Sequence, residues 1–152
     1  MGICKDFNKL KPEFKEKLQS ALKELDEKRI AYAIIETYRD QKVQDAYYAQ
    51  GRESLDIVNQ KRIEAGLSVI DEYQNRHIIT KARHSKHTDG LAAGIVPVIS
   101  NGRIPWLIRD ASTAALWLSL AEVMKKHGLT WGGDWEPKNE WGIGWDPAHY
   151  EI

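Results

Sequence analysis

The chain has 152 residues and a mass of 17.4 kDa, with 22 Lys+Arg balanced by 22 Asp+Glu. That length suits one domain around one core, and an apolar share of 42% with 29% charged residues excludes a globally disordered chain. Zero formal net charge argues against a general polyanion binder, so nucleic acid is not an expected partner.

From the N-terminus, Phe14, Leu18, Leu22 and Leu25 repeat at helical spacing behind Pro12, which predicts a helix over 12–28. Residues 31–37 are short and rich in Ile, and read as a strand. Asp40 is placed to cap a helix over 41–50 that ends at Gly51, and a third helix over 54–65 stops at Gly66. Residues 67–84 lack periodicity and read as an irregular loop that gathers Arg76, His77, Lys81, Arg83 and His84. Residues 91–99 return to a strand pattern, and Asn101-Gly102 signals a hairpin turn into 103–108. Ser112 is the expected cap of a helix reaching His127, with Leu116, Leu120 and Val123 inward and Gly128 as terminator. A Gly- and Trp-rich tail ends in a strand over 149–152. Helices that lead and strands that cluster late give an α+β class: one domain over 1–152, helices packed on a small antiparallel sheet.

Other features bound the setting. Cys4 is the only cysteine, so no intramolecular disulfide can form. The first residues lack the basic start and apolar run of a secretory signal. No stretch reaches the roughly 18 apolar residues of a membrane span. The expectation is a monomer made in the cytosol, without membrane insertion.

Two segments carry the chemistry. The first is His84-Ser85-Lys86-His87-Thr88-Asp89-Gly90-Leu91-Ala92-Ala93-Gly94, and the second is Trp145-Asp146-Pro147-Ala148-His149-Tyr150-Glu151. A catalytic zinc site wants three N or O ligands and one open position. Residue spacing leaves two readings open for His87 and His149: a pair of metal-facing imidazoles, or surface and satisfied core residues. The four Trp after residue 130 likewise read either as core or as a groove wall.

The run Ser85-x-His87-x-x-Gly90-x-Ala92 resembles the SxHxxGxAxD signature of the zinc peptidases that include D-Ala-D-Ala carboxypeptidases and dipeptidases. Trp145-Asp146-Pro147-x-His149-Tyr150-Glu151 is similar to their second signature, in the form seen in phage L-alanyl-D-glutamate endopeptidases. Glu36-Thr37-Tyr38-Arg39, Gln50-Gly51-Arg52 and Trp131-Gly132-Gly133-Asp134-Trp135 also match those lysins. The resemblance runs from about residue 10 to the end and implies the hedgehog/D,D-peptidase-like fold. It further implies one zinc ion, with His87 and His149 as ligands. Asp146 would be the catalytic carboxylate and Arg39 the oxyanion- or substrate-binding arginine, with Ser85, Trp145 and Tyr38 at the substrate. The implied partner is the bacterial peptidoglycan stem peptide, and the implied reaction is hydrolysis between L-Ala and D-Glu. It also implies a phage endolysin made in the host cytoplasm, which reaches the wall through a separate membrane pore.

One position departs from the pattern. The signature's final Asp, the family's third zinc ligand, falls at Gly94, and glycine has no side chain to coordinate. Strand alternation predicts a gap there, beside His87. The glycine is compatible with an introduced inactivating replacement, with natural loss that leaves a wall-binding module, or with a strand glycine at a bulge and zinc held by another group. The expectation is an enzyme impaired at Gly94. A D,D-carboxypeptidase acting on D-Ala-D-Ala termini and a non-catalytic peptidoglycan-binding module are the alternatives.

Overall fold

The computed structural model describes residues 2–152. Pro12 opens helix α1 (Pro12–Glu27), whose Phe14, Leu18, Ala21, Leu22 and Leu25 are all buried, as its helical apolar spacing requires. Strand β1 (Tyr32–Glu36) follows. Helix α2 (Gln41–Ala49) is capped by the Asp40 side chain, which accepts from the Lys42 amide. Helix α3 (Leu55–Glu64) is capped by Ser54, a short helix α4 spans Glu72–Asn75, and strand β2 spans Ala92–Pro97. Helix α5 (Ala111–Lys126) leads into strand β3 (Thr130–Trp131), and strand β4 (His149–Glu151) closes the chain.

The four strands form one sheet in the order β1-β2-β4-β3, every pair antiparallel. Ala93 pairs with Tyr150, which pairs with Trp131, and this row is buried in the core shared with α1 and α5. Trp117, Leu120 and Met124 of α5 meet Phe14, Leu18 and Leu25 of α1 in that core. Because successive strand residues alternate faces, the neighbouring rows Gly94–His149 and Ala92–Glu151–Thr130 point the other way. The sheet thus has a helix-covered face and a face free to build a site.

The structure is the expected α+β domain with a small antiparallel sheet, but several local expectations fail for identifiable reasons. Residues 103–108 form no strand. Asn101 and Gly102 do turn the chain with positive φ (70° and 72°), yet afterwards only Ile99 reaches back, its amide donating to the Arg103 carbonyl at 2.8 Å. Pro105 lacks the amide a ladder needs. The cap of α5 is Asp110 rather than Ser112, because its carboxylate accepts from the Thr113 amide at 2.8 Å. Trp117 is buried where Leu116 was expected inward, and Leu116 is 38% exposed. The stretch 67–84 contains one ordered turn, α4, closed by a capping box between Asp71 and Gln74. Strand β3 was not foreseen, since two residues carry no periodicity.

Helices α1 and α5 are also joined at their C-terminal ends by charge. Glu24 accepts from Lys126 and meets His127 at 2.9 Å and Lys28 at 3.1 Å. Hydrogen bonds from Lys126, His127 and Lys28 hold its carboxyl down at about 2, against 4.5 for a free glutamate. A carboxylate with a depressed folded pKa stabilises the fold above its unfolded value, and that stabilisation is lost as the pH falls through the folded value. Glu24→Gln is therefore expected to lower Tm at neutral pH. It should also flatten the fall of Tm between about pH 4.5 and 2, read by thermal melts across that range.

Candidate active site

The site lies on the sheet face away from α1 and α5 and begins with an irregularity in β1. Ile34 pairs with Ile95 and Glu36 with Gly94, so Ile35 is an extra residue bulged out of the ladder. Beyond the bulge the Thr37 carbonyl turns to His87, whose Nδ1–H donates to it at 3.1 Å. The Arg39 amide returns a bond to the His87 carbonyl at 3.0 Å. A carbonyl only accepts, so Nδ1 carries the proton and Nε2 keeps its lone pair. Burial, aided by the positive field of Arg39, pushes the His87 imidazole down to about 3, which keeps it neutral.

His149 arrives from β4, directly across from Gly94. Its Nε2 lies 2.7 Å from Glu151 Oε1, while Nδ1 lies 4.0 Å from Asp146 Oδ2. Lys86, between Ser85 and His87, pairs with Glu151 at 2.9 Å and donates to the Ile152 carbonyl at 2.6 Å. Although burial pushes Glu151 upward, the hydrogen bonds from Lys86 and His149 hold it below the usual carboxylate range. Burial raises Asp146, with the positive fields of His149 and Arg39 pulling the other way. The two imidazoles meet edge to face, with centroids 5.0 Å apart. Each thus has one ring nitrogen engaged and one presented, the pattern that orients metal-ligating histidines.

Gly132 allows the Asp146–His149 turn to come this close. A Cβ at Gly132 would run into the Asp146 carbonyl and stand 3.1 Å from the Cβ atoms of Asp146 and His149. Trp131 pins the same turn by donating from Nε1 to the Pro147 carbonyl at 2.7 Å. The surrounding cleft has a volume of about 760 Å³, and Trp135 and Trp145 form one wall, their rings 5.3 Å apart. The aromatic tail therefore divides: Trp131 is core, Trp141 is half-buried against the core, and Trp135 and Trp145 face the cleft.

Arg39 lines the cleft, held on two sides. Glu36 takes it in a two-point ion pair, Nε to Oε2 at 3.1 Å and Nη2 to Oε1 at 2.5 Å. Nη1 donates to Gln44 Oε1 at 2.8 Å. Gln44 is wholly buried, and its amide donates to the Ala82 carbonyl at 2.7 Å, so one side chain joins Arg39 to the cleft-lining loop. Ser85 lines the cleft and accepts from the His87 amide at 3.2 Å. Tyr38 does not line it: Lys9 sits 5.9 Å over the Tyr38 ring, and the tyrosine in the cleft is Tyr47. Asp89, adjacent in sequence, is bound to His84 at 2.7 Å. Glu36, Gln44, Lys86 and Glu151 were not assigned as site residues from the sequence; Glu36, Lys86 and Glu151 lie within the quoted motif segments, and that was the available signal.

The donor set tests whether a three-ligand metal centre fits. His87 Nε2 and His149 Nδ1 are presented, but the third position is Gly94. Among the described residues no group of three His, Cys, Asp or Glu is placed to hold a metal ion. The residues present therefore leave such a centre one ligand short. The expected gap beside His87 is also absent. A Cβ at Gly94 would lie 2.6 Å from Ile35 Cγ1 and 3.1 Å from its Cδ1, because the bulge drops the Ile35 side chain into that space.

A helix pair stands behind a small antiparallel sheet, with two histidines, an aspartate and an arginine at the open face of this α+β domain. Residues 79–152, which hold both histidine motifs, match the peptidase M15 family model described as D-alanyl-D-alanine carboxypeptidase. The chain carries a peptidase M15 family domain. It is 30% identical over 114 residues to the peptidoglycan L-alanyl-D-glutamate endopeptidase CwlK of Bacillus subtilis, covering 72% of this chain and 56% of that protein. The chain thus spans about half the length of that curated relative. The L-Ala D-Glu endopeptidase ChiX of Serratia marcescens superposes with a TM-score of 0.53 at 14% identity, covering 100% of this chain and 90% of that one. The LD-carboxypeptidase LdcB superposes with a TM-score of 0.52 at 15% identity, covering 94% and 58%. These two structures establish the fold.

The Gln44 bridge has a measurable consequence. Gln44→Leu deprives Arg39 of an acceptor and the Ala82 carbonyl of its donor, which is expected to cost about 1–3 kcal/mol in urea denaturation. Faster hydrogen exchange over residues 80–84 should accompany it.

Proposed function

We propose that this chain is a peptidoglycan peptidase domain of the phage-lysin type, directed at the L-Ala–D-Glu bond of the wall stem peptide. Zinc-dependent by family, its hydrolysis is impaired at Gly94. The observation that carries this reading is the pair of imidazoles with one nitrogen each already engaged, by Thr37 and Glu151, beside Asp146 and Arg39 in one cleft. The choice of bond is supported by the printed activities of CwlK and ChiX. The LdcB likeness and the family description keep a carboxypeptidase as the competing activity.

The residues divide the work as follows. Arg39, pre-oriented by Glu36 and Gln44, offers fixed positive charge to a substrate carboxylate or a developing oxyanion. Asp146 stands where it can take a proton from the attacking water and return it to the leaving amine. Trp135 and Trp145 hold the peptide against the cleft wall, and Ser85 supports the backbone that carries His87. When bound by two imidazoles and a carboxylate, zinc supplies Lewis-acid chemistry to the scissile carbonyl and its water. Gly94 withholds the carboxylate, so no step of this chain is routed through the metal. In the lysin role the domain is made in the host cytoplasm, acts as a monomer, and meets the wall after release through a separate pore.

The test restores the ligand and its space together. Gly94→Asp alone is expected to gain little zinc, because the new side chain collides with Ile35. Gly94→Asp with Ile35→Ala is expected to bind about one zinc per chain and to split muropeptides into muramyl-L-Ala and a stem peptide with a free D-Glu amine. Release of terminal D-Ala would instead establish the carboxypeptidase. A folded double variant with neither zinc nor cleavage would falsify the peptidase reading. In that double-variant background, Asp146→Ala should keep zinc and lose roughly 10²–10⁴-fold in turnover; undiminished turnover removes Asp146 from proton transfer.

A further inference from the structure

A second cleft, of about 440 Å³, opens on the other side of the segment 82–84. Helix α2 divides the two: Tyr47 faces the cleft with the histidines, and Tyr48 faces this one. Gln41, Asp45, Tyr48 and Arg52 line it at helical spacing, joined by Lys61 from α3 and Arg83 from the loop.

Tyr48 is the anchor of this cleft. The Arg52 guanidinium lies 3.9 Å from its ring centroid and the Arg83 guanidinium 4.8 Å. Stacking of this kind fixes a guanidinium by its face and leaves N–H groups at its edge for a planar partner. Arg52 spends one N–H on the Tyr48 carbonyl at 2.6 Å, and Gln41 holds the Arg83 carbonyl at 3.0 Å. Among the described residues, Arg52, Lys61 and Arg83 form no ion pair within 4.0 Å. Two carboxylates, Asp45 and Glu53, line the same cleft without pairing to those cations, and Asp45 accepts only from the Gln41 amide at 2.9 Å. Unpaired charges of both signs in one concavity match a ligand that carries both signs on neighbouring atoms.

We propose that this cleft is a subsite for a zwitterionic amino-acid head group, an α-carboxylate held by Arg52 and Arg83 and an α-ammonium held by Asp45 and Glu53. The proposal rests on the stem-peptide reading. A stem with a diaminopimelate residue presents such a head on its third side chain, whereas a lysine stem presents an amine alone.

The chain as it stands can be titrated with L-Ala-γ-D-Glu-meso-diaminopimelate, with L-Ala-γ-D-Glu-L-Lys, and with free meso-diaminopimelate. Calorimetry gives Kd, and NMR follows the Tyr48 ring and the arginine Nε–H signals. The diaminopimelate tripeptide is expected to bind roughly tenfold tighter than the lysine one. Arg52→Gln with Arg83→Gln should erase that difference, leaving Tm and the lysine affinity unchanged. Asp45→Asn should weaken both tripeptides, because the lysine stem's ammonium meets the same carboxylate. Equal affinities with shifts confined to the histidine cleft overturn the subsite and leave the stem-peptide reading intact. If neither tripeptide binds, the stem-peptide reading fails. Free diaminopimelate then decides the subsite: shifts at Tyr48 and Arg83 sustain it, and silence overturns it.

Discussion

A single extra residue in β1 determines how the cleft is put together. Without the bulge at Ile35, the Thr37 carbonyl would not turn toward His87, and Glu36 would not share a face with Arg39 three residues on. A bulge sharpens strand twist and re-aims the side chains beyond it, and this one does three things at once. It fixes the His87 tautomer, opposes Glu36 to Gly94 and His149 across the sheet, and drops the Ile35 side chain where a residue larger than glycine at position 94 would begin. The strand pairing that builds the site is thus the same pairing that brings Ile35 against position 94. The glycine at 94 and the occupation of the space beside it by Ile35 are one structural fact.

Charge placement follows from burial. The Arg39–Glu36 pair has side chains only 15% and 12% exposed, so its charges lose most of their hydration, and removing either partner leaves the other expensive, by about 3–5 kcal/mol. The pair is consequently held by Gln44 as well, and the guanidinium is stiff before any substrate arrives. Glu24 and its partners at the ends of α1 and α5 are solvated and tie helices together without shaping chemistry. Net neutrality of the chain conceals this division. Of the basic residues gathered over 76–86, Lys86 goes to Glu151, Arg83 to Tyr48, and Lys81 to the cleft rim.

Helix α1 was legible from its apolar repeat behind Pro12, and α2 and α3 from the caps Asp40 and Ser54, signals that are all written locally. The two histidine motifs were legible because their residues lie within a few positions of each other. What escaped were consequences of tertiary contact. Asp110 outcompetes Ser112 as a cap because its carboxylate reaches the Thr113 amide, two near-equivalent choices in sequence. The turn at 101–102 is as its residues dictate, yet Pro105 removes the amide that would have continued a ladder. The gap imagined beside His87 came from treating β1 as regular, and nothing in Ala33-Ile34-Ile35-Glu36 announces a bulge. Tyr38 and Tyr47 could not be told apart as cleft residues, since which tyrosine faces the site depends on how α2 packs and not on proximity to Arg39.

That distinction bears on how function is separated within the cleft. The walls that would hold a peptide are Trp135, Trp145 and Arg39, and none of them touches position 94. The histidines keep their supporting partners whether or not a third ligand exists, because Thr37, Glu151 and Lys86 are fixed by backbone pairing and the chain end. Even Gly132, which admits the Asp146 turn, answers to backbone approach and is indifferent to what stands at 94. The contacts that position the cleft walls, Arg39 and the two imidazoles are therefore independent of the residue at 94. Position 94, with the room beside it that Ile35 fills, is thus structurally separate from the cleft walls and from the partners that hold the two imidazoles.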